Sequence, residues 1–573
     1  MPAACLVLCS LAGSACRTPD RPPVPTLRFT DVTADCGIAL ENVSGDPLRK
    51  TEIRETLGSG AAAIDYDRDG RLDVFVANGD VLPGRVPPAE PRPALYRNLG
   101  GMRFEDVTER AGLLFRAWGH GATAVDFDGD GHTDLYVTIS LGPNRFFRNL
   151  GDGTFADATS EWGGGDAGPS TAAAFFDADS DSDLDLYVGN YVVFDPGHRP
   201  NHGQPCHWRG LEVVCGPLGT TPAADVFYEN RAGRLHEATE AFGFGSVAPS
   251  YTLGAVTGDF DDDRDTDLYV VNDSMPNLLF ENVGGGRFRE SALDHGVDRN
   301  EDGRIQAGMG VDCGDVDNDG RFDLFVTNFS HDTNTLHHNF AAPGGRTMFE
   351  DLTYAANLGL ASFRMLSWGT AIVDVDHDGW QDIVVVSGHV YPEVDAATSG
   401  TSYAQPCQLF LNGGLGPAGT VVFHPFEPAP GDAFLRTVVG RGLVVADLDE
   451  DGDVDFLVVP LHDRPLVIRN DSATPGHWIG LRLLGPGANR EAIGARILIE
   501  DSRGVRRWRE RASGAGYLSS HDPRIRAGLG HAGGPARVSV DWPDGRRTIY
   551  EDLPVDRYWV LDASRPDALP AAP

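Results

Sequence analysis

Twenty-eight aspartates recur at fixed spacing in seven copies of one nine-residue pattern, D-x-D-x-D-G-x-x-D. They are Asp65, Asp67, Asp69 and Asp73; Asp126, Asp128, Asp130 and Asp134; Asp177, Asp179, Asp181 and Asp185; Asp259, Asp261, Asp263 and Asp267; Asp315, Asp317, Asp319 and Asp323; Asp374, Asp376, Asp378 and Asp382; Asp447, Asp449, Asp451 and Asp455. Carboxylates at positions 1, 3, 5 and 9 of a tight turn wrap one hard cation in oxygen ligands. Calcium suits such a set, because it accepts roughly six to eight oxygens in flexible geometry, whereas magnesium demands a tighter octahedron. Without a cation the converging carboxylates would repel one another. Glycine at position 6 relieves the turn, and five copies have it, as Gly70, Gly131, Gly320, Gly379 and Gly452. Ser182 and Arg264 replace it in the third and fourth. Up to seven calcium ions are therefore expected, held least tightly in those two loops.

Position 12 decides the kind of loop. An EF-hand places a bidentate glutamate there, but this chain has Val76, Val137, Val188, Val270, Val326, Val385 and Val458. Each valine belongs to an apolar run such as Leu135-Tyr-Val, which reads as a β-strand. The loop therefore joins two strands, and the EF-hand is excluded.

Around every loop the same parts recur. A segment like Phe104-Glu-Asp-Val-Thr comes first, then a small-residue strand entering the loop, then a strand such as Asn277-Leu-Leu-Phe-Glu-Asn282. Loop-to-loop intervals of 51 to 82 residues leave room for four short strands, the size of a propeller blade. The longest interval carries an insertion over residues 198–218 that contains Cys206 and Cys215, close enough to form a disulfide in an oxidising compartment. Cys36, Cys313 and Cys407 read as buried apolar residues. The first Phe-type segment precedes the first loop, and none follows the last. A closed ring solves this, with Leu27–Val32 as the outer strand of the last unit; an open array would leave an edge exposed. The expected fold is all-β: a seven-bladed propeller over 27–472, then a small β-rich domain over 476–562 and a disordered tail over 563–573.

The formal charge is −37. Seven calcium ions would leave it strongly acidic, which argues against nucleic acid and anionic membranes as partners. Residues 1–15 read as a signal peptide and 16–26 as a Pro-rich linker. The run Ala3–Ala15 lacks preceding basic residues, which implies a true start upstream of Met1. Cys16 is the residue a lipid anchor would use. No run is long and apolar enough to span a bilayer as a helix. These features point to an exported protein. From His477 to Asp562 there are 14 arginines against 11 acidic residues. The cluster Arg506, Arg507, Arg509 and Arg511 could bind an acidic partner or dock on the chain's own aspartate array.

These motifs resemble the FG-GAP (VCBS-type) repeat family, whose members form integrin-α-like propellers with calcium in such loops. The end of the chain, with Ala492-Ile-Gly-Ala-Arg496, Gly514-Ala-Gly-Tyr-Leu-Ser-Ser520 and Val540-Asp-Trp-Pro-Asp-Gly545, is similar to the ASPIC/UnbV domain. The pair is the layout of the cartilage acidic protein family. The resemblance specifies the fold far more closely than the function.

A further site is sought at the strand ends opposite the aspartate loops. Trp118, Asn190, Asn272, Asn328, Arg364, Trp368, His389 and Tyr391 could line a funnel suited to a glycan or an extended peptide. Alternatively, the asparagines cap turns and the tryptophans fill interfaces. Neither G-x-S-x-G nor H-E-x-x-H occurs. Three readings stand: a non-catalytic adhesion or ligand-binding module for an extracellular glycan or protein; a calcium-dependent polysaccharide lyase with Arg364 or His389 as base; and a purely structural surface component.

Overall fold

The computed structural model describes residues 27–195, 199–343, 345–396 and 399–571. The expected signal run, linker and Cys16 lie outside them. Among the described residues, seven four-stranded antiparallel meanders carry the aspartate loops. Their first strands are Ala61–Ile64, Gly119–Val125, Ser170–Phe176, Thr252–Gly258, Val311–Gly314, Ser367–Val373 and Gly440–Ala446. Position 9 of each loop opens the second strand, as in Asp73–Val76 and Asp455–Pro460. Six sheets complete themselves locally. The seventh takes its outer strand from the start of the described chain, Phe29–Asp31, with Phe29 opposite Asn470 and Asp31 opposite Ile468.

The first strand of every sheet packs against that of the next, and the seventh's packs against both the sixth's and the first's. Small residues are required at this crowded centre. A Cβ on Gly60 would collide with the Leu518 carbonyl, and one on Gly310 with the Trp368 carbonyl. Apolar residues of neighbouring sheets interleave between them; Phe127, Phe146 and Trp162, for example, pack with Phe175.

After Asn470 the chain builds a separate core between two further four-stranded sheets. One orders Ile525–Gly530, His477–Leu484, Tyr558–Asp562 and Leu569–Pro570, with the middle two parallel. The other orders Arg506–Glu510, Arg496–Glu500, Ala536–Asp541 and Arg547–Leu553. The expectation of a disordered tail from residue 563 is corrected. Ala563 is buried, and Leu569–Pro570 pairs with Trp559 and Val560. The ladder of the preceding strand leaves an open edge, and these residues fill it.

The link between Arg506–Glu510 and Ile525–Gly530 enters the centre of the array. Ser520 exchanges backbone hydrogen bonds with Ala61 and Ala63 of the first sheet, at 2.9 and 3.0 Å. Leu518 O accepts from Ala122 N in the second, and Ser513 Oγ from Phe175 N in the third. Ser513 bonds Thr257 of the fourth, and Gly516 exchanges two bonds with Val311 of the fifth. Tyr517 meets Trp368 of the sixth at 4.9 Å between ring centroids, and Asp522 N donates to Val445 O of the seventh. This finger, residues 512–522, thus touches all seven sheets.

In the third sheet the excursion between Asp185–Asn190 and Val226–Asn230 carries the hairpin Cys206–Trp208 and Leu211–Val213. Cys206 and Cys215 are disulfide-bonded, with Cα atoms 5.0 Å apart. Cys36 and Cys407 are free and buried, and Cys313 is free and half-buried.

Candidate metal centres

The seven loops share one backbone. Position 4 has φ between 57° and 70° in every copy (Arg68, Gly129, Ser180, Asp262, Asn318, His377, Glu450). Position 6 has φ between 74° and 101°, with Ser182 at 74° and Arg264 at 79°. The third and fourth loops are therefore not distorted by their missing glycines. Hydrogen bonds impose the shape. Position 5 accepts the N–H of position 7 through Oδ1 in all seven copies. Oδ2 of position 1 accepts the N–H of position 6, as in Gly131 to Asp126 and Gly452 to Asp447.

Position 9 is the anchor. Its side chain is at most 1% exposed in every copy. Oδ2 accepts the N–H of position 2 at 2.9–3.2 Å. Oδ1 accepts the N–H of an asparagine that ends or lies within the third strand, at 2.7–2.9 Å. These asparagines are Asn98, Asn149, Asn230, Asn282, Asn339, Asn412 and Asn470, and the sequence reading missed their role. In six of them the side-chain amide also reaches the position-2 carbonyl of the preceding sheet's loop: Asn149 to Tyr66, Asn282 to Ala178, Asn339 to Phe260, Asn412 to Val316, Asn470 to Val375 and Asn98 to Leu448. Each clips two sheets together. The available signal was an asparagine about fifteen or more residues beyond each position 9.

Ligand atoms of Asp65, Asp67 and Asp73 lie within 4.8 Å of one another, as do those of Asp126, Asp128 and Asp134, and of Asp177, Asp179 and Asp185. Oδ1 of Asp65, Asp126 and Asp374 at position 1, and of Asp67, Asp179 and Asp449 at position 3, is buried without a hydrogen-bond partner. Burial, aided by neighbouring aspartates, pushes Asp73 and Asp134 up to about 8 and Asp185 to about 9. Buried, converging, unpartnered carboxylate oxygens are the donor set that a hard divalent cation fits.

In the first five copies the residue before the asparagine faces the loop, and its type varies. Arg97 Nε lies 2.7 Å from Asp67, and Arg148 Nη2 lies 2.7 Å from Asp128. The third and fourth copies have Glu229 and Glu281, which add to the negative charge felt by Asp179 and Asp261. The fifth has His338, whose Nδ1 is 2.9 Å from Asp323 and whose Nε2 is 3.8 Å from Asp317. These carboxylates push His338 up to about 9 against the opposing effect of burial.

The arginine cluster turns onto the chain itself. Arg507 and Arg509 are buried, and Arg509 faces Asp374 and Asp315. Arg511 pairs with Glu491 at 2.9 Å; Arg506 stays exposed beside Glu500.

The expected funnel is corrected. Trp118, Asn190, Asn272, Asn328, Trp368, His389 and Tyr391 are buried, and only Arg364 is exposed. The asparagine amides cap backbone: Asn190 to Ala224 O, Asn272 to Pro276 O and Asn328 to Thr333 O, at 2.8–2.9 Å. Trp368 Nε1 donates to Gly388 O. Trp208 of the disulfide hairpin covers His389 and Tyr391, at 5.0 and 6.0 Å between ring centroids. His389 Nδ1 accepts the Tyr391 N–H while Nε2 meets Ser330 Oγ, so both nitrogens are engaged, and burial lowers the group to about 3.

Residues 65–137, 126–188 and 259–326 match the FG-GAP-like repeat family, and residues 485–568 match the ASPIC and UnbV family. Over 524 residues the chain is 25% identical to cartilage acidic protein 1 of Mus musculus, covering 86% of this chain and 71% of that protein. The Homo sapiens protein of the same name is 24% identical over 522 residues, covering 86% and 69%. Among solved structures, an Agrocybe aegerita lectin specific for non-reducing terminal N-acetylglucosamine superposes with a TM-score of 0.37 at 14% identity, covering 64% of this chain and 78% of that one, too distant to bear on function. The chain thus carries segments that match FG-GAP-like repeats and a C-terminal segment that matches ASPIC and UnbV, and it is similar over most of its length to cartilage acidic protein 1.

Proposed function

We propose that this chain is an exported, calcium-stabilised propeller of seven closed blades that acts as a non-catalytic binding module for an extracellular glycan or protein. The observation that carries the reading is the sevenfold recurrence of a buried position-9 aspartate, beside carboxylate oxygens that lack partners in five of the loops. Closure is supported by the pairing of Phe29–Asp31 with Leu466–Asn470 and by the clip from Asn98 to Leu448. In this reading each ion joins four carboxylates and fixes the first inter-strand turn of its blade, so binding energy becomes folding energy. Each site contributes about 2.7 kcal/mol when calcium stands at a hundred times its dissociation constant. Export fits the Cys206–Cys215 disulfide and the millimolar calcium outside cells. The relatives carry the name of an acidic protein, not of an enzyme.

A ligand has room in a cleft of about 890 Å³ lined by Arg49, Arg54, Phe194, Val214 and Glu393. Arg54 lies over the Phe194 ring, 3.6 Å from its centroid. An aromatic face beside guanidinium groups suits a glycan carrying acidic groups. Two experiments test the reading. Melting in EDTA against excess calcium should separate the midpoints, and coincident midpoints would remove calcium from the account. Purified protein on a glycan array should retain acidic glycans without turnover; release of unsaturated product would favour the lyase.

A further inference from the structure

The C-terminal domain covers the aspartate loops, and four of its contacts fall on the same atom. At the seventh loop the Tyr558 hydroxyl donates to Asp447 Oδ2 at 2.7 Å. At the sixth the Gly528 N–H donates to Asp374 Oδ2 at 3.0 Å. Arg496 Nη1 lies 3.2 Å from Asp259 Oδ2 at the fourth, and Arg482 Nη1 stands 3.7 Å from Asp65 Oδ2 at the first. All four aspartates occupy position 1. In Asp374 and Asp447 the same Oδ2 also accepts the position-6 N–H, so it is held twice. The other oxygen, Oδ1 of Asp65 and of Asp374, is buried and unpartnered. Asp374 as a whole is 7% exposed. In Asp65 and Asp374 the domain therefore holds one oxygen of the carboxylate and leaves its twin unpartnered; in Asp259 and Asp447 the twin accepts the position-5 N–H.

We propose that the C-terminal domain is the outer coordination shell of the cation sites, with Tyr558, Gly528, Arg496 and Arg482 as positioning residues. The proposal rests on the calcium reading above. Ligand carboxylates need partners of their own, and losing such a partner weakens a metal by roughly 10- to 100-fold. Linkage makes the effect reciprocal: if the seated domain tightens the sites, loaded sites tighten the seat. Finger 512–522 reports on that seat, because its hydrogen bonds end on the strands that lead into the loops.

The test uses the full chain and removes one oxygen atom. Tyr558→Phe keeps the ring, which packs on Trp478 at 5.0 Å, and deletes only the donor to Asp447. Calorimetric calcium titration should show one site weakened about ten-fold and the others unchanged. Tyr550→Phe is the control, since that hydroxyl faces Asp562 O within the C-terminal domain; its titration should match wild type. Hydrogen exchange should run faster through residues 512–522 in EDTA than in calcium. A Tyr558→Phe titration identical to wild type, or a finger equally protected in both buffers, overturns the proposal while leaving calcium in place. A wild-type chain that takes up no calcium overturns the reading beneath it as well.

Discussion

In the first loop Gly70 turns at φ 90°, and Arg97 approaches Asp67 at 2.7 Å. In the third, Ser182 makes the same turn at φ 74°, and Glu229 stands in the register of Arg97. The fourth repeats the third, with Arg264 at 79° and Glu281 in that register. Two lessons follow from the contrast. A turn fixed by hydrogen bonds from positions 1, 5 and 9 survives the loss of its glycine and absorbs the backbone strain. Charge, more than turn shape, then separates the loops. The expectation of weak third and fourth sites rests on glycine alone, and the added glutamates argue for the opposite order.

The largest effect sets all seven loops against a cation-free state. Burial raises the position-9 carboxyls above their unfolded value of about 3.9, to about 8 in Asp73 and Asp134 and about 9 in Asp185. A folded pKa raised in this way gives stability that is present below the unfolded pKa and lost as pH rises through the folded one. In EDTA the melting midpoint should therefore fall steadily from pH 5 to pH 9. In calcium the cation replaces the proton, and the profile should flatten across that range. The gap at pH 8 should be on the order of 10 °C. Parallel profiles in the two buffers would mean that the carboxylates do not share a cation.

Alanine at position 9 asks whether the third loop is as intact as the first. Asp185→Ala strands the N–H groups of Ala178 and Asn230; Asp73→Ala strands those of Tyr66 and Asn98. Two buried donors without acceptors cost roughly 2–6 kcal/mol in either case. Urea unfolding should give equal losses. A much smaller loss at Asp185 would mean that the third loop is already loose.

Charge can be tested with less disturbance. Glu281→Gln should weaken one calcium site about five-fold in a calorimetric titration, because one carboxylate fewer faces Asp261. Arg289, paired with Glu281 across the strands, already offsets part of that charge, which keeps the effect modest. An unchanged titration would assign Glu281 wholly to that pair.

What the sequence made legible had one residue type at one spacing. The aspartates stood out for that reason, and so did the strands that follow them. The partner of Phe29–Asp31 was legible from the order of the parts, because an outer segment was missing after Asn470. The asparagine clips were not, since an asparagine closing a strand reads equally well as a turn cap. Asn190 and Asn272 are such caps, whereas Asn98 and Asn470 join neighbouring sheets. The finger was hidden by distance. Ser513-Gly-Ala-Gly516 looks like flexible loop until Thr257 and Val311, some two hundred residues away or more, supply the hydrogen bonds of Ser513 and Gly516. The proposed funnel failed because polarity at a strand end does not say whether the amide meets solvent or its own backbone.

The smallest effect returns to the missing glycines. Left-handed φ costs a residue with a Cβ roughly 1–2 kcal/mol. Glycine there escapes that cost but gives up about 0.5–1 kcal/mol through its freer unfolded chain. Ser182→Gly should therefore stabilise the protein by about 0.5 kcal/mol in saturating calcium, read as a small rise in the urea midpoint. Arg264→Gly should gain a similar amount and also remove an exposed positive charge beside Asp263, so its calcium titration should tighten slightly while that of Ser182→Gly stays put. The two variants thus divide strain from charge within one pair of loops. If Ser182→Gly lowers the midpoint, the turn at 74° is not strained and the serine has another task. Should Arg264→Gly weaken calcium, charge is not what distinguishes the fourth loop from the first.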